Sequence, residues 1–293
     1  MSCNISSFAV LPISLWNQTL AAPYQKAPLD TRFYSKFTVT QGFPIVSSSK
    51  TSDAALRISA KWSCLLFNLA NPSVVKNLTA SASKLIIMAA TEKTIDIPEF
   101  KDMKPAANAT EVARGLGGTE NTLVGEENVL CAEEDKWNGQ SECILLHELG
   151  GHTMSDMSGD EQLVQAINST YQSAMKKGLF PNTYAATNQY EYWAEGVESW
   201  FDCNLLVQAW MGDGIDNDID TRDKIKSYDP DLAVLLKKVF GDNVLRYQCP
   251  TDAERVEAAN VAPVASQTLK PEKTSFTSYL APSLSLFFTI VFL

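Results

Sequence analysis

The sequence predicts an α+β fold, mostly helical, with one small mixed sheet and a single helix that carries the chemistry. Three observations lead there. Apolar residues recur at helical spacing over much of the chain after residue 141, and Leu85-Ile86-Ile87-Met88 is an unbroken apolar run of strand length. The only two histidines, His147 and His152, stand together directly after the apolar run Ile144-Leu145-Leu146. A strand cannot be stable alone, so the run at 85–88 requires neighbours.

Taken in order, residues 1–50 are rich in Ser, Pro and Thr, show little periodicity, and read as a leader followed by an irregular arm. Residues 8–16 and Leu20-Ala21-Ala22 resemble a weak secretory leader without a basic start, so 1–22 are expected to be a leader or a disordered start. The folded domain is expected over 23–250. Asp53 to Ala70 reads as a helix, capped by Ser52 or Asp53 and ended by Pro72. Glu92 to Asn138 reads as loop, with Val129-Leu130-Cys131 as a short strand. Its glycine run at 115–118 lacks the Lys-Ser/Thr of a nucleotide-binding loop and reads as a turn beside a cleft.

Helices are expected at Ser141 to Met154, Glu161 to Leu179, Asn188 to Trp210 and Asp231 to Phe240. The second has Val164, Ile167, Tyr171 and Ala174 at amphipathic spacing. Trp193, Trp200, Phe201 and Trp210 read as core. Residues 251–275 read as a polar linker and 276–293 as a hydrophobic tail. As a helix, Leu284 to Leu293 spans roughly 15 Å, too short for a ~30 Å hydrocarbon core. With the small residues before it, the tail resembles a glycolipid attachment signal, which implies membrane attachment through a C-terminal lipid anchor.

With 34 acidic against 24 basic residues, the net charge of -10 excludes nucleic acid as the expected partner. The cysteines at 3, 64, 131, 143, 203 and 249 form no CxxC pair, which argues against a sulfur-ligated metal and leaves disulfides or buried thiols. Sequons at Asn4, Asn17, Asn77, Asn108 and Asn168 point to the secretory route, hence to an extracellular or cell-surface protein.

The strongest local signal is His147-Glu148-Leu149-Gly150-Gly151-His152. A zinc-peptidase helix usually places its histidines four apart, with the Glu after the first acting as general base. Here they are five apart. Four residues rotate the second ligand by ~40° past a full turn and five by ~140°, so a regular α-helix cannot chelate with this pair. A π-bulge absorbs the additional residue, and Gly150 and Gly151 leave room for a widened turn. A third ligand is expected from an acid on another helix. Glu191 and Glu195 share a face at i, i+4 among aromatics, where paired carboxylates are costly without a cation. Glu191 is the expected ligand and Glu195 the carboxylate that holds a ligand imidazole; the reverse assignment stays open. A buried salt bridge from Glu191 to Arg114 or Lys176 is the rival explanation.

The stretch Asn182-Thr-Tyr-Ala-Ala-Thr-Asn-Gln-Tyr-Glu-Tyr-Trp-Ala-Glu195 resembles the second motif of the anthrax lethal factor catalytic-domain family. In these zinc endopeptidases the ligand Glu is followed by two aromatics, Ala and another Glu, and preceded by a Tyr seven residues earlier. The inserted His-Glu-x-x-Gly-His form resembles dipeptidyl peptidase III. Both resemblances lie within residues 147–203. They imply a zincin-like fold of the gluzincin type with an active-site helix, and zinc (Zn2+) on His147, His152 and Glu191. They further imply Glu148 as general base, Tyr184 as oxyanion donor, and a peptide or protein substrate. The inserted residue also fits a catalytically inactive zincin-like binding protein, secreted or on the surface. Asp213, Asp216, Asp218, Asp220 and Asp223 resemble a calcium loop, but the loop glycine and closing Glu are missing, so they read as a solvated acidic loop.

Overall fold

Gln41 and Gly42, with φ of 48° and 82°, turn the chain between strands β2 (Lys36–Thr40) and β3 (Phe43–Ser47). Two successive positive φ angles make the tight turn whose twist suits a two-residue hairpin. The computed structural model describes residues 3–27, 29–103, 113–118, 121–133, 135, 142–156, 159–204 and 218–261. Within these, the hairpin belongs to a six-stranded mixed sheet with β1 (Leu11–Pro12), β4 (Lys84–Met88), β5 (Gly115–Leu116) and β6 (Asn121–Gly125). The order is β1-β2-β3-β4-β6-β5; β4 runs parallel to β3 and β6, and the other pairings are antiparallel.

The apolar run at 85–88 is the centre of this sheet because both its faces are covered. Leu85 and Ile87 join the helical core, whereas Ile86 and Met88 join a second core with Phe37, Leu123, Trp16, Leu20 and Tyr24. That second core includes the N-terminal segment. Within the 1–22 expected to be a leader or a disordered start, Trp16 and Leu20 are ordered and buried on the sheet, and burial of such side chains contributes about 1.5–3 kcal/mol each. Cys3 is disulfide-bonded to Cys64, and the expected irregular arm contains the β2–β3 hairpin.

Helix α1 (Asp53–Leu69) begins where expected: the Ser52 hydroxyl accepts from Ala55 N at 3.2 Å, a cap worth about 1 kcal/mol. Pro72 does more than end α1, since it opens α2 (Pro72–Ala80) at a position where its missing N–H costs nothing. Residues 126–129 form a helical turn rather than part of a strand, and the strand of this region is β6. The later helices are α3 (Glu161–Lys176), α4 (Gln189–Trp200), α5 (Arg222–Tyr228), α6 (Pro230–Phe240) and α7 (Asp252–Asn260).

Helix α7 corrects the linker expected at 251–275 over residues 252–260, while 262–275 lie outside the described residues. Thr251 and Glu254 close a reciprocal capping box, and the helix docks on α1, where buried Arg57 donates to Ala258 O at 2.6 Å and Lys61 pairs with Glu254. A second disulfide joins Cys131 to Cys249, just before this helix. Two disulfides fit a secreted protein. No helix of the described residues is long and apolar enough to cross a membrane. The tail at 276–293, Asn108, Trp210, Asp213 and Asp216 lie outside the described residues.

Candidate metal centre

Residues Leu146–Thr153 wind as a π-helix, and Met154 N closes an i→i+5 bond onto Leu149 O. The widened turn therefore runs through the whole motif, beyond the single bulge the spacing requires, and it brings residues five apart onto one face. Neighbours hold this conformation. Thr153 Oγ1 and Thr122 Oγ1 of β6 share a 2.7 Å hydrogen bond, and Ser155 Oγ donates to Gly151 O and His152 O at 2.8 and 2.9 Å. A Cβ on Gly150 would meet the Val197 side chain at 3.2 Å. At Gly151 the demand is stricter, because the Ala194 backbone fills the space a side chain would need.

Helix α4 delivers the third donor. The Asn188 side chain accepts from Tyr190 N and Glu191 N at 2.8 and 3.0 Å, so Glu191 is fixed in the first turn. Tyr192 donates to Asp229 at 2.6 Å and Trp193 stacks on Phe240, which anchors α4 to α6. Glu191 pairs with neither Arg114 nor Lys176: the Arg114 guanidinium is held by Glu127 at 2.6 Å.

The three donors form an equilateral triangle. His147 Nε2 to His152 Nε2, His147 Nε2 to Glu191 Oε2, and His152 Nε2 to Glu191 Oε2 are each 3.2 Å. Bonds of 2.0–2.1 Å in a tetrahedral zinc site separate ligand atoms by about 3.3 Å, so the donor set fits. Protons account for the triangle less well. Burial opposes charge on His147, yet Glu198, Glu191 and Glu148 hold its pKa well above the usual value, and His152 is raised by Glu191 against the same burial. Two imidazolium rings would then point N–H at N–H across 3.2 Å, whereas one central cation satisfies all three edges. Burial pushes Glu191 up, but the charge of His152 and the hydrogen bonds from both imidazoles hold it well below the usual carboxylate range.

Behind His147 lie three more buried acids. Its Nδ1 is 3.0 Å from Glu198 Oε2 and 3.6 Å from Glu195 Oε1, so Glu198 makes the hydrogen bond that had been expected from Glu195. Glu195 is instead held by Asn204 Nδ2 at 3.0 Å. His147 Nδ1, Glu195 and Glu198 form a second group of metal-type donors, and Glu142 adds a further carboxyl that burial pushes up to about 8. Glu198 was missed in the sequence, although 191, 195 and 198 follow i, i+4, i+7 and so share one helical face.

Glu148 is fully buried beside the triangle, and its two oxygens have no hydrogen-bond partner among the described residues. Burial raises its pKa to about 7 against the pull of both histidines. The glycines at 115–118 exist for this contact: a Cβ on Gly115 would lie 2.6 Å from Glu148 Oε1, and one on Gly117 2.7 Å from Oε2. Gly115 lies in β5, whereas Gly117 and Gly118 follow it outside the strand, Gly118 with a φ of 78°. The Tyr184 ring is 6.4 Å from that of His147, and burial together with the charges of Glu191 and Glu148 keeps its hydroxyl protonated. The structure thus gathers His147, His152, Glu191, Glu148, Tyr184 and Glu195 in one place. Asp220 of the acidic loop is paired with Lys224. Comparison with protein-family models, curated proteins and solved structures finds no match for this chain.

Proposed function

We propose that this chain is a zinc-dependent peptidase of the zincin type, secreted or held at the cell surface, that hydrolyses peptide bonds. The reading rests on the 3.2 Å triangle of His147, His152 and Glu191 with the free carboxylate of Glu148 beside it. Zinc held there would supply a Lewis acid and an acidified water. Glu148, tuned near neutrality, takes the proton of the attacking water and returns it to the leaving amine. Tyr184 keeps its proton and donates to the oxygen on which charge develops. Glu198 accepts from His147 Nδ1 and fixes the tautomer that leaves Nε2 free to coordinate. An extended peptide added to β5, the last strand in the order, would pass Glu148. Exposed side chains at Asn4, Asn17, Asn77 and Asn168 and the two disulfides support the extracellular setting.

The complete burial of Glu148 favours a second reading, a structural metal site in a secreted binding protein without hydrolytic activity. One experiment separates the two. The full chain is secreted, its zinc-to-protein ratio is measured by elemental mass spectrometry, and it is incubated with a peptide library beside Glu148→Gln. About one zinc per chain in both proteins, with cleavage only by the unaltered one, is the expected result. Zinc without cleavage would establish the second reading, and no zinc would overturn both.

A further inference from the structure

We propose that Cys143 and Cys203 form a third disulfide when the chain folds under oxidising conditions, bolting the start of the metal-bearing helix to the end of α4. The inference is independent of catalysis. Four of the six cysteines are paired, and the remaining two are brought together from positions 60 residues apart. Each is only 2% exposed. Cys143 N donates to Cys203 O at 3.3 Å. With standard bond lengths, a direct N–H···O=C bond holds the two α-carbons within roughly 7 Å of each other, comparable with the roughly 4.4–6.8 Å that a disulfide spans.

The side chains meet as well as the backbones. The Cys203 thiol is buried and hydrogen-bonded with the Cys143 side chain, and both effects hold it protonated. No sulfur belongs to either group of metal-type donors, so these thiols have no ligand role there. Their position gives the bond a purpose. His147 N donates to Cys143 O at 3.1 Å, and Cys203 N donates to Glu198 O at 3.0 Å. The bond would therefore lie one turn from each partner of the His147–Glu198 hydrogen bond and fix their separation.

In the oxidation two S–H bonds break and one S–S bond forms. The two protons and two electrons pass to a disulfide oxidant such as oxidised glutathione, which leaves as two thiols. Because the sulfurs are buried in the folded protein, the step belongs to folding, before α4 closes over Cys143.

The test needs only the full chain, secreted or refolded with a glutathione couple. It is denatured in iodoacetamide without reductant, weighed intact and mapped by protease digestion. The expected result is no added label, six labels after reduction, and a linked peptide pair containing Cys143 and Cys203. Two labels on Cys143 and Cys203 would overturn the proposal, as would a linked pair joining either of them to Cys131 or Cys249. In Cys203→Ser the expected count is one label, on Cys143; no label there would mean that Cys143 pairs elsewhere and would equally overturn it.

Discussion

A Cβ placed on Gly151 would stand 2.6 Å from the Cβ of Ala194, so the π-helix and α4 touch at backbone distance. This contact brings Glu191 within reach of both histidines. Gly151→Ala is therefore expected to separate the two elements, lowering stability by about 1–3 kcal/mol through overpacking. Zinc affinity should fall at least about tenfold. Gly150→Ala, whose new methyl meets only the Val197 and Leu66 side chains, should cost less. Denaturant melts and chelator competition on the two variants measure the difference; equal effects would refute this account of the contact.

Glu198 and Glu195 should be unequal in supporting the metal. Because Glu198 Oε2 is at hydrogen-bond distance from His147 Nδ1 and Glu195 Oε1 is not, Glu198→Gln should weaken zinc binding by about 10–100-fold and Glu195→Gln by less. Competition with a zinc dye gives both constants. The same titration should end at one zinc per chain, because the Nδ1 proton engaged by Glu198 keeps the second donor group from coordinating.

The metal-free protein should lose stability as pH rises from about 5 to about 8. Burial raises Glu142 to about 8 and Glu148 and Glu195 each to about 7, from an ordinary 4.5, so the folded chain keeps protons that the unfolded chain has released. Stability from a raised pKa is complete below the unfolded value and disappears as pH passes the folded one. His147 and His152, held above 6.5, contribute with the same sign. Glu191 is shifted the other way, but above pH 5 it is ionised in both states. Zinc should reverse the trend, since its ligands must shed protons to bind. Melting of chelated and zinc-loaded protein at pH 5.5 and 8 checks both slopes.

Arg57 should matter far from the metal. Its guanidinium is buried and donates to the carbonyls of Phe8 and Ala258, joining α1 to the N-terminal segment and α7. Arg57→Met strands those acceptors and should cost about 2–3 kcal/mol. Hydrogen exchange should show α7 opening first, with the metal centre still protected.

Much of this was legible in the residues. The strand at 85–88, the cap at Ser52, and the need for a widened helix between His147 and His152 all follow from local pattern. The hairpin was hidden because Pro44 lies inside β3 and Ser, Thr and Pro dominate the segment, although Gln41-Gly42 between Val39-Thr40 and Phe43 is a turn signal. Helix α7 was hidden because its buried residue is a single alanine, Ala258, and its docking relies on Arg57 and Lys61 of another helix. Which carboxylate would reach His147 depends on how α4 is rotated, and that is set by Tyr192–Asp229 and Gly151–Ala194, contacts that no local pattern encodes.

The donor spacing belongs to the fold rather than to the peptide that carries it. Released from Thr122 and Ala194, residues 146–153 would relax to ordinary helical winding and turn the two imidazoles away from each other. A nascent or denatured chain then has no preformed claim on metal, unlike a pair four residues apart, which needs only one local turn. Assembly must come first and loading second. The metal content of a preparation would therefore count its correctly folded molecules, and a cell could make the chain without its scavenging zinc before it folds.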